Sequence, residues 1–210
     1  MGNFEEIAEA VINGEVDKVG ELAQGLIDDG REPSKIIKKG LVAGMDVVGA
    51  RFKNNEMFVP EVLISAKAMH AGMDVVKPLL AEGEESSAGT VVIGTVKGDL
   101  HDIGKNLVAM MVEGAGFKVV DLGIDLPAEE FVKAVKEHNP DVLGLSALLT
   151  TTMSSMGEVV KSLEEAGVRD EVKVILGGAP VTEDFADEIN ADGYAADGSA
   201  ATDLVREFTN

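Results

Sequence analysis

The stretch TVVIGTVKGDLHDIGKNLV, residues 90–108, decides the fold. Its opening, Thr90–Val96, is almost continuous in Val, Ile and Thr, as a strand buried on both faces requires. Its end reads as a helix, and between them lies Lys97–Gly104, a polar loop holding Asp99, His101 and Asp102. Four more apolar runs recur downstream, KVVDLG (118–123), DVLGLSA (141–147), KVILGG (173–178) and GYAAD (193–197), alternating with helical segments. Five such β–α units predict an α/β domain with a flavodoxin-like (Rossmann-type) five-stranded doubly wound parallel sheet, and the right-handed crossover rule makes 2-1-3-4-5 its most economical order. In that order ligands sit beyond the carboxyl ends of the strands, at the switch point between strands 1 and 3. The loop after strand 1 is Lys97–Gly104 and the loop after strand 3 is SALLTTT, residues 146–152. Strand 4 ends in Gly177-Gly178, and strand 5 runs into Asp197-Gly198-Ser199. The unusual residues therefore share one edge, and that edge is the expected site.

The front of the chain has a different period. Its first ~85 residues repeat apolar positions at helical spacing. Four helices are expected: Phe4–Ile12, Val16 to about Ile27, Pro33 to Phe52, and Pro60 to about Leu80. Glycines close the first two and prolines open the last two, the usual asymmetry of helix ends. Short connections imply antiparallel neighbours, hence a four-helix bundle. EGEESSAG, residues 82–89, is polar and acidic and reads as a linker. The expected organisation is a bundle over 1–85 and the sheet domain over 86–210.

Composition narrows the function. The net charge of −20 makes nucleic acid and anionic membranes poor partners, and aromatics at 4% leave no stacking platform for single strands. No run is apolar enough to span a bilayer and no leader-like segment opens the chain, so a cytoplasmic location is expected. With no cysteine, disulfides, zinc ribbons and thiol nucleophiles are excluded.

The chemistry of the edge centres on His101. A solvated or capping histidine is the bland reading of one imidazole in a loop. Asp99, two residues away, points instead to a carboxylate that orients the ring, for metal ligation or general base catalysis. Zinc would need about three protein ligands. His70 in the bundle and His138 before Asn139-Pro140 are poor companions for that set. Ser146 lacks a Gly-x-Ser-x-Gly elbow, and Asp99 and Asp102 would repel the phosphate of a nucleotide. A phosphoacceptor domain would want Asp and Lys where Ser146 and Asp197 stand. What remains is one imidazole serving a metal whose other ligands belong to its own macrocycle.

These residues resemble a known family. GDLHDIG matches the Asp-x-His-x-x-Gly motif of cobalamin-binding domains, and GLSALLTTTM and LGGAP match its second and third signatures in order. The helical front, with NNEMFVPEVLISAKAMHAGM, is similar to the cap bundle of the methionine-synthase type. The resemblance covers essentially the whole chain and is closest to the stand-alone corrinoid proteins that serve methylamine, methanol and related methyltransferases.

The resemblance implies a role for each position. His101 would replace the cofactor's benzimidazole on cobalt, with Asp99 as its partner and Thr152 in place of the family's serine. Gly98, Leu100, Asp102 and Gly104 would meet the corrin beside that ligand. Ser146, Leu148, Thr150, Gly177 and Gly178 would line the slot for the displaced nucleotide, with Gly198 near its far end. Met57 and Phe58, at the start of the fourth helix, would cover the upper face, although both would serve equally as bundle core. The cofactor implied is cobalamin, as methylcobalamin or a related corrinoid. The activity implied is methyl carriage between Co(I) and methyl-Co(III), base-off with histidine on, non-catalytic without partners. Those partners are a substrate-specific methyltransferase, a second methyltransferase serving the final acceptor, and a reductive activation protein. A cobalamin-dependent sensor is the alternative, but it would usually bring a basic DNA-binding segment that this chain lacks.

Overall fold

The computed structural model describes residues 3–80 and 88–209. Two compact units are present: Met1–Ser87 together with Glu113–Gly116, and Ala88–Val112 together with Phe117–Asn210. Residues 82–87 of the expected linker lie outside the described residues.

The first unit is helical. Helix α1 (Phe4–Ile12) is started by a reciprocal cap between Asn3 and Glu6, and α2 (Val16–Asp28) runs up to Gly30, whose φ of +74° suits glycine. The expected third helix is one run in three parts: α3 (Pro33–Ile36), a π-helical stretch Ile37–Val42, and α4 (Ala43–Lys53). Its buried residues explain the departure. Ile36, Gly40, Gly44 and Val48 are four apart, and such a row drifts around a helix of 3.6 residues per turn. The wider π turn absorbs the drift and keeps the row on one face. That face has no room for larger side chains, because a Cβ on Gly40 would lie 2.4 Å from Ile7 Cγ2 and one on Gly44 2.8 Å from the Ala8 carbonyl. Helix α5 (Val59–Val76) follows and ends in a 3₁₀ turn, Lys77–Leu79. Ile7, Val11, Val19, Leu41 and Val62 are fully buried between these helices.

The second unit is a five-stranded parallel sheet in the order β2-β1-β3-β4-β5, with strands β1 (Thr90–Thr95), β2 (Lys118–Asp121), β3 (Val142–Ser146), β4 (Lys173–Gly177) and β5 (Gly193–Ala195). The helices are α6 (Ile103–Gly114), α7 (Ala128–His138), α8 (Met153–Glu165), α9 (Glu183–Glu188) and α10 (Gly198–Thr209). The expected order holds. Val92, Leu143, Leu145, Val174 and Leu176 make the strand side of the core, and Phe131, Met156 and Leu163 the helix side. Gly94 lets α7 approach β1, since a Cβ there would meet the Phe131 ring at 2.7 Å.

Register then positions the site. Thr95 pairs with Ser146, Ser146 with Gly177, and Gly177 with Ala195. Four strands therefore end in one row, and the loops leaving them open on the same edge.

Candidate functional site

Asp99 is the centre of this edge. Its residue is fully buried, and both carboxylate oxygens are engaged. Oδ2 accepts from the Thr152 hydroxyl at 2.7 Å, from Leu148 N–H at 2.8 Å and from Leu149 N–H at 3.2 Å. Oδ1 accepts from His101 N–H at 3.1 Å and lies 2.7 Å from His101 Nδ1. Burial by itself pushes this carboxyl up. The hydrogen bonds from Thr152, Leu148 and His101 outweigh it and hold the group well below the usual carboxylate range. Asp99 is thus an anion at neutral pH, stabilised by dipoles.

An ionised Asp99 decides the tautomer of its neighbour. The oxygen facing Nδ1 only accepts, so Nδ1 carries the proton and Nε2 keeps its lone pair. His101 is half exposed at its side chain, and Nε2 takes no hydrogen bond among the described residues. The imidazole is held at one nitrogen and open at the other. Thr95 Oγ1 anchors the loop by donating to the His101 carbonyl at 3.0 Å, and Ser155 Oγ donates to the Lys97 carbonyl at 3.2 Å.

The surroundings of His101 are apolar and open. Ile103 is 83% exposed, Leu100 66%, and Leu148 and Leu149 about two-fifths each. A cluster of exposed aliphatic side chains around one free ring nitrogen suits a flat, largely apolar ligand better than a hydrated ion. No group of three His, Cys, Asp or Glu side chains able to hold a metal occurs among the described residues. A metal that brings most of its own ligands, as in a macrocycle, would need only the one open imidazole. His101, tied at one nitrogen and open at the other, fits such a group.

The other expected residues divide by location. Gly98, with φ +84°, opens the His101 loop, and Asp102 and Gly104 sit where it enters α6. Ser146 ends β3 beside Gly177, and the following Gly178 has φ +127°. A Cβ on Gly178 would lie 1.8 Å from the Ala147 carbonyl, so only glycine fits. Thr150 is exposed in the turn before α8. Leu148 is an exposed residue whose backbone N–H, rather than its side chain, reaches Asp99. Gly198 is buried at the start of α10, where a Cβ would meet Met111 Sδ at 2.6 Å. Met57 is buried in the helical unit, and Phe58, which precedes α5, is 64% exposed.

Sequence reasoning missed four contributors. The Leu149 N–H is backbone chemistry and leaves no residue-type signal. Lys105 does leave one, because a cation in the first turn of a helix opposes the helix dipole and needs a partner. Its buried ammonium pairs with Asp121 and donates to Asn106 Oδ1 at 2.7 Å, and Asn106 Nδ2 donates to Asp102 at 3.2 Å. Ser155 and Asp125 are the other two; Asp125 accepts from Gly98 N–H at 2.7 Å.

Comparison with known proteins decides the family. A B12 binding domain model matches residues 89–204, and a second B12 binding domain model matches residues 4–77. The chain belongs to the B12-binding family. Cobalamin or a related corrinoid is accordingly its cofactor, and the helical front is part of the family pattern. Among its B12-binding relatives, trimethylamine corrinoid protein 1 of Methanosarcina acetivorans is 46% identical over 98% of this chain and 96% of the relative. Dimethylamine corrinoid protein 1 of the same organism is 47% identical over the same shares. A chain of the methanol:cobalamin methyltransferase complex of Methanosarcina barkeri superposes with a TM-score of 0.86 at 36% identity, covering 97% of this chain and 78% of that one.

Proposed function

We propose that this protein carries a methyl group on a corrinoid held by His101, receiving it from a methylated substrate through a partner methyltransferase and giving it up to a second one. The observation that carries this reading is the half-open imidazole: Nδ1 tied to a buried, ionised Asp99, Nε2 free, and aliphatic side chains exposed around it. When bound, the corrinoid supplies a cobalt that takes up methyl as Co(I) and releases it from methyl-Co(III).

The chain's own residues do the rest. His101 Nε2 offers its lone pair to the metal, and Asp99 fixes the tautomer that makes this possible. His101 would hold the metal through Nε2 alone, so that contact could be made or released without disturbing the pairing with Asp99 at Nδ1. Asp99, 2.7 Å from Nδ1, would keep the ring in one orientation whether or not Nε2 touches the metal. Thr152 keeps that carboxylate in place through its hydroxyl. Leu100, Ile103, Leu148 and Leu149 keep water from the metal's protein side once covered. Gly177 and Gly178 let the exit of β4 pack against the Ala195 and Ala147 backbone, and the displaced nucleotide tail would lie along that edge.

The likeness to trimethylamine, dimethylamine and methanol proteins supports the carrier role and a methyltransferase partner. Nearly equal identity to differently named amine proteins supports leaving donor choice to that partner. Reductive activation of the cobalt by a further protein follows from the need to regain Co(I) after adventitious oxidation.

Electron paramagnetic resonance of the Co(II) protein tests the reading. Reconstituted protein should show one nitrogen coupled to cobalt, changed by ¹⁵N-labelled histidine and lost in His101→Ala. Coupling from histidine that survives in His101→Ala defeats the ligand assignment. Turnover of a methylated amine or alcohol by this chain alone defeats the carrier assignment.

A further inference from the structure

The loop that carries His101 is tied to a neighbouring loop whose residues have no part in the mechanism above. Hydrogen bonding between β1 and the chain leaving β2 continues past the end of the strand: Leu122 N–H donates to the Ile93 carbonyl at 2.9 Å, Thr95 N–H to Gly123 at 3.0 Å, and Leu126 N–H to Thr95 at 3.1 Å. A parallel bridge between Val96 and Leu126 closes the pairing. This continuation delivers Asp125 opposite the turn that begins the His101 loop.

Two hydrogen bonds cross there in opposite senses. Gly98 N–H donates to Asp125 Oδ1 at 2.7 Å, and Asp125 N–H donates to the Asp99 carbonyl at 3.0 Å. Both residues of this exchange have left-handed backbone, with φ +84° at Gly98 and +55° at Asp125. A non-glycine residue holds such a conformation only where its surroundings impose it, and aspartate is among the few that tolerate it.

The exchange completes the support of one peptide plane. The amide between Lys97 and Gly98 is held at its carbonyl by Ser155 Oγ and at its N–H by Asp125. The Ser155 bond is long, at 3.2 Å, and cannot stop the plane from turning by itself. The anchors on Asp99 from β3's exit loop grip only its side chain, leaving its backbone carbonyl to Asp125. His101 follows two residues further along the chain.

We propose that Asp125 is a positioning residue for the axial ligand: it locks the turn at Gly98 and Asp99, and so sets where His101 Nε2 meets the metal. The inference rests on the reading that His101 ligates the corrinoid, but the lock itself is a property of the protein without cofactor. Asp125 acts through two hydrogen bonds rather than through its charge.

Two variants separate these possibilities. Asp125→Gly keeps the left-handed backbone and removes the acceptor, so the fold has no reason to fail. Asp125→Asn keeps an acceptor and tolerates positive φ while removing the charge. In the protein without cofactor, Asp125→Gly should raise hydrogen exchange at the Gly98 amide by about 10-fold or more, and Asp125→Asn should stay near wild type. After reconstitution with cobalamin, Asp125→Gly should bind corrinoid but show a smaller Co(II) fraction coupled to histidine nitrogen, and Asp125→Asn should restore it. Unchanged Gly98 exchange in Asp125→Gly overturns the proposal. Raised exchange with a wild-type coupled fraction also overturns it, and so does failure of Asp125→Asn to restore both readouts. If wild-type protein shows no histidine coupling, the functional reading fails, while the Gly98 exchange contrast still decides the lock.

Discussion

Two carboxylates sit at opposite ends of the same sheet and are held in opposite ways. Asp192, just before β5 at the amino edge, meets two cations: Arg169 at 2.7 Å and Lys173 at 3.0 Å. It also accepts from Val174 N–H at 2.8 Å. Asp99, at the carboxyl edge, meets no lysine or arginine among the described residues, only a hydroxyl, three backbone N–H groups and an imidazole. Burial opposes ionisation of both, and in both the bonds received win, so both are held below the ordinary carboxylate range. The difference lies in where the counter-charge comes from. Asp192 is neutralised in place and staples β4 to the approach of β5. Asp99 has no such cation among the described residues, and the ring it orients is His101, whose Nε2 stays open for the proposed ligand role. One arrangement is closed and structural, and the other leaves a ring nitrogen open, as the proposed function requires.

The largest expected effect is at the closed end. Asp192→Ala leaves Arg169 and Lys173 facing each other without an anion and should cost about 3 kcal/mol of unfolding free energy, the low end for a stranded partner in a mostly buried pair. The histidine coupling to Co(II) should be unchanged in the refolded protein. Denaturant titration and resonance spectra on one sample check both halves, and loss of coupling would erase the contrast between the two edges.

At the open end, Asp99→Asn should do the reverse. The side-chain oxygen will face Thr152, Leu148 and Leu149, which offer three donors, and its NH₂ will face His101 Nδ1. That donor forces the ring proton to Nε2 and removes the lone pair needed by the metal. Losing a carboxylate that orients a ligating histidine typically costs about 10–100-fold in metal affinity. Weaker axial donation should also move the Co(II)/Co(I) midpoint upward, which spectroelectrochemical titration measures. An unchanged midpoint would leave Asp99 a loop cap.

Acid should act on both ends with the same sign. Each carboxyl binds its proton less readily folded than unfolded, where aspartate titrates near about 3.9. The stability each contributes is therefore complete well above that value and is lost as pH falls below it. Asp192→Ala and Asp99→Asn should both flatten the acid limb of the stability curve. Salt should separate them: added salt should weaken the acid limb contributed by Asp192's exposed lysine pair, and leave the dipole-held Asp99 nearly untouched. Equal salt sensitivity of the two variants would contradict the assignment.

The smallest effect is expected from Thr152→Ser. The hydroxyl that reaches Asp99 is kept, and only the methyl group near Gly98 is lost, worth at most about 0.8 kcal/mol. Corrinoid affinity should stay within about fourfold of wild type by equilibrium dialysis, and the midpoint should not move in the same titration.

Much of this contrast was legible in the chain, and the exceptions share a cause. Runs such as TVVIGT and KVILG show buried parallel strands because apolar continuity survives in one dimension. Asp99 and His101 are two residues apart, so their pairing needed only a local turn. The π-helical stretch after Ile36 was missed because the sequence shows good helix positions, while the four-residue spacing of the buried row matters only once α1 lies against Gly40 and Gly44. The Leu149 N–H group, Ser155 and Asp125 were missed because they act from 26 to 56 residues away from Asp99, through bonds that no residue type announces.

By itself, the sequence determined the strand and helix alternation, the five-stranded order, the edge that carries the loops, and the histidine with its carboxylate. Each of these rests on periodicity or on neighbours in the chain, which local chemistry expresses directly. Only the tertiary structure decided that Asp99 would be a buried anion without a fixed cation, that Nε2 would be the free nitrogen, and that Asp125 would grip the turn before His101. Those are matters of which distant donors converge on one oxygen and which do not. Convergence of that kind is set by register between β1, β2 and β3, and it exists only after the strands have paired.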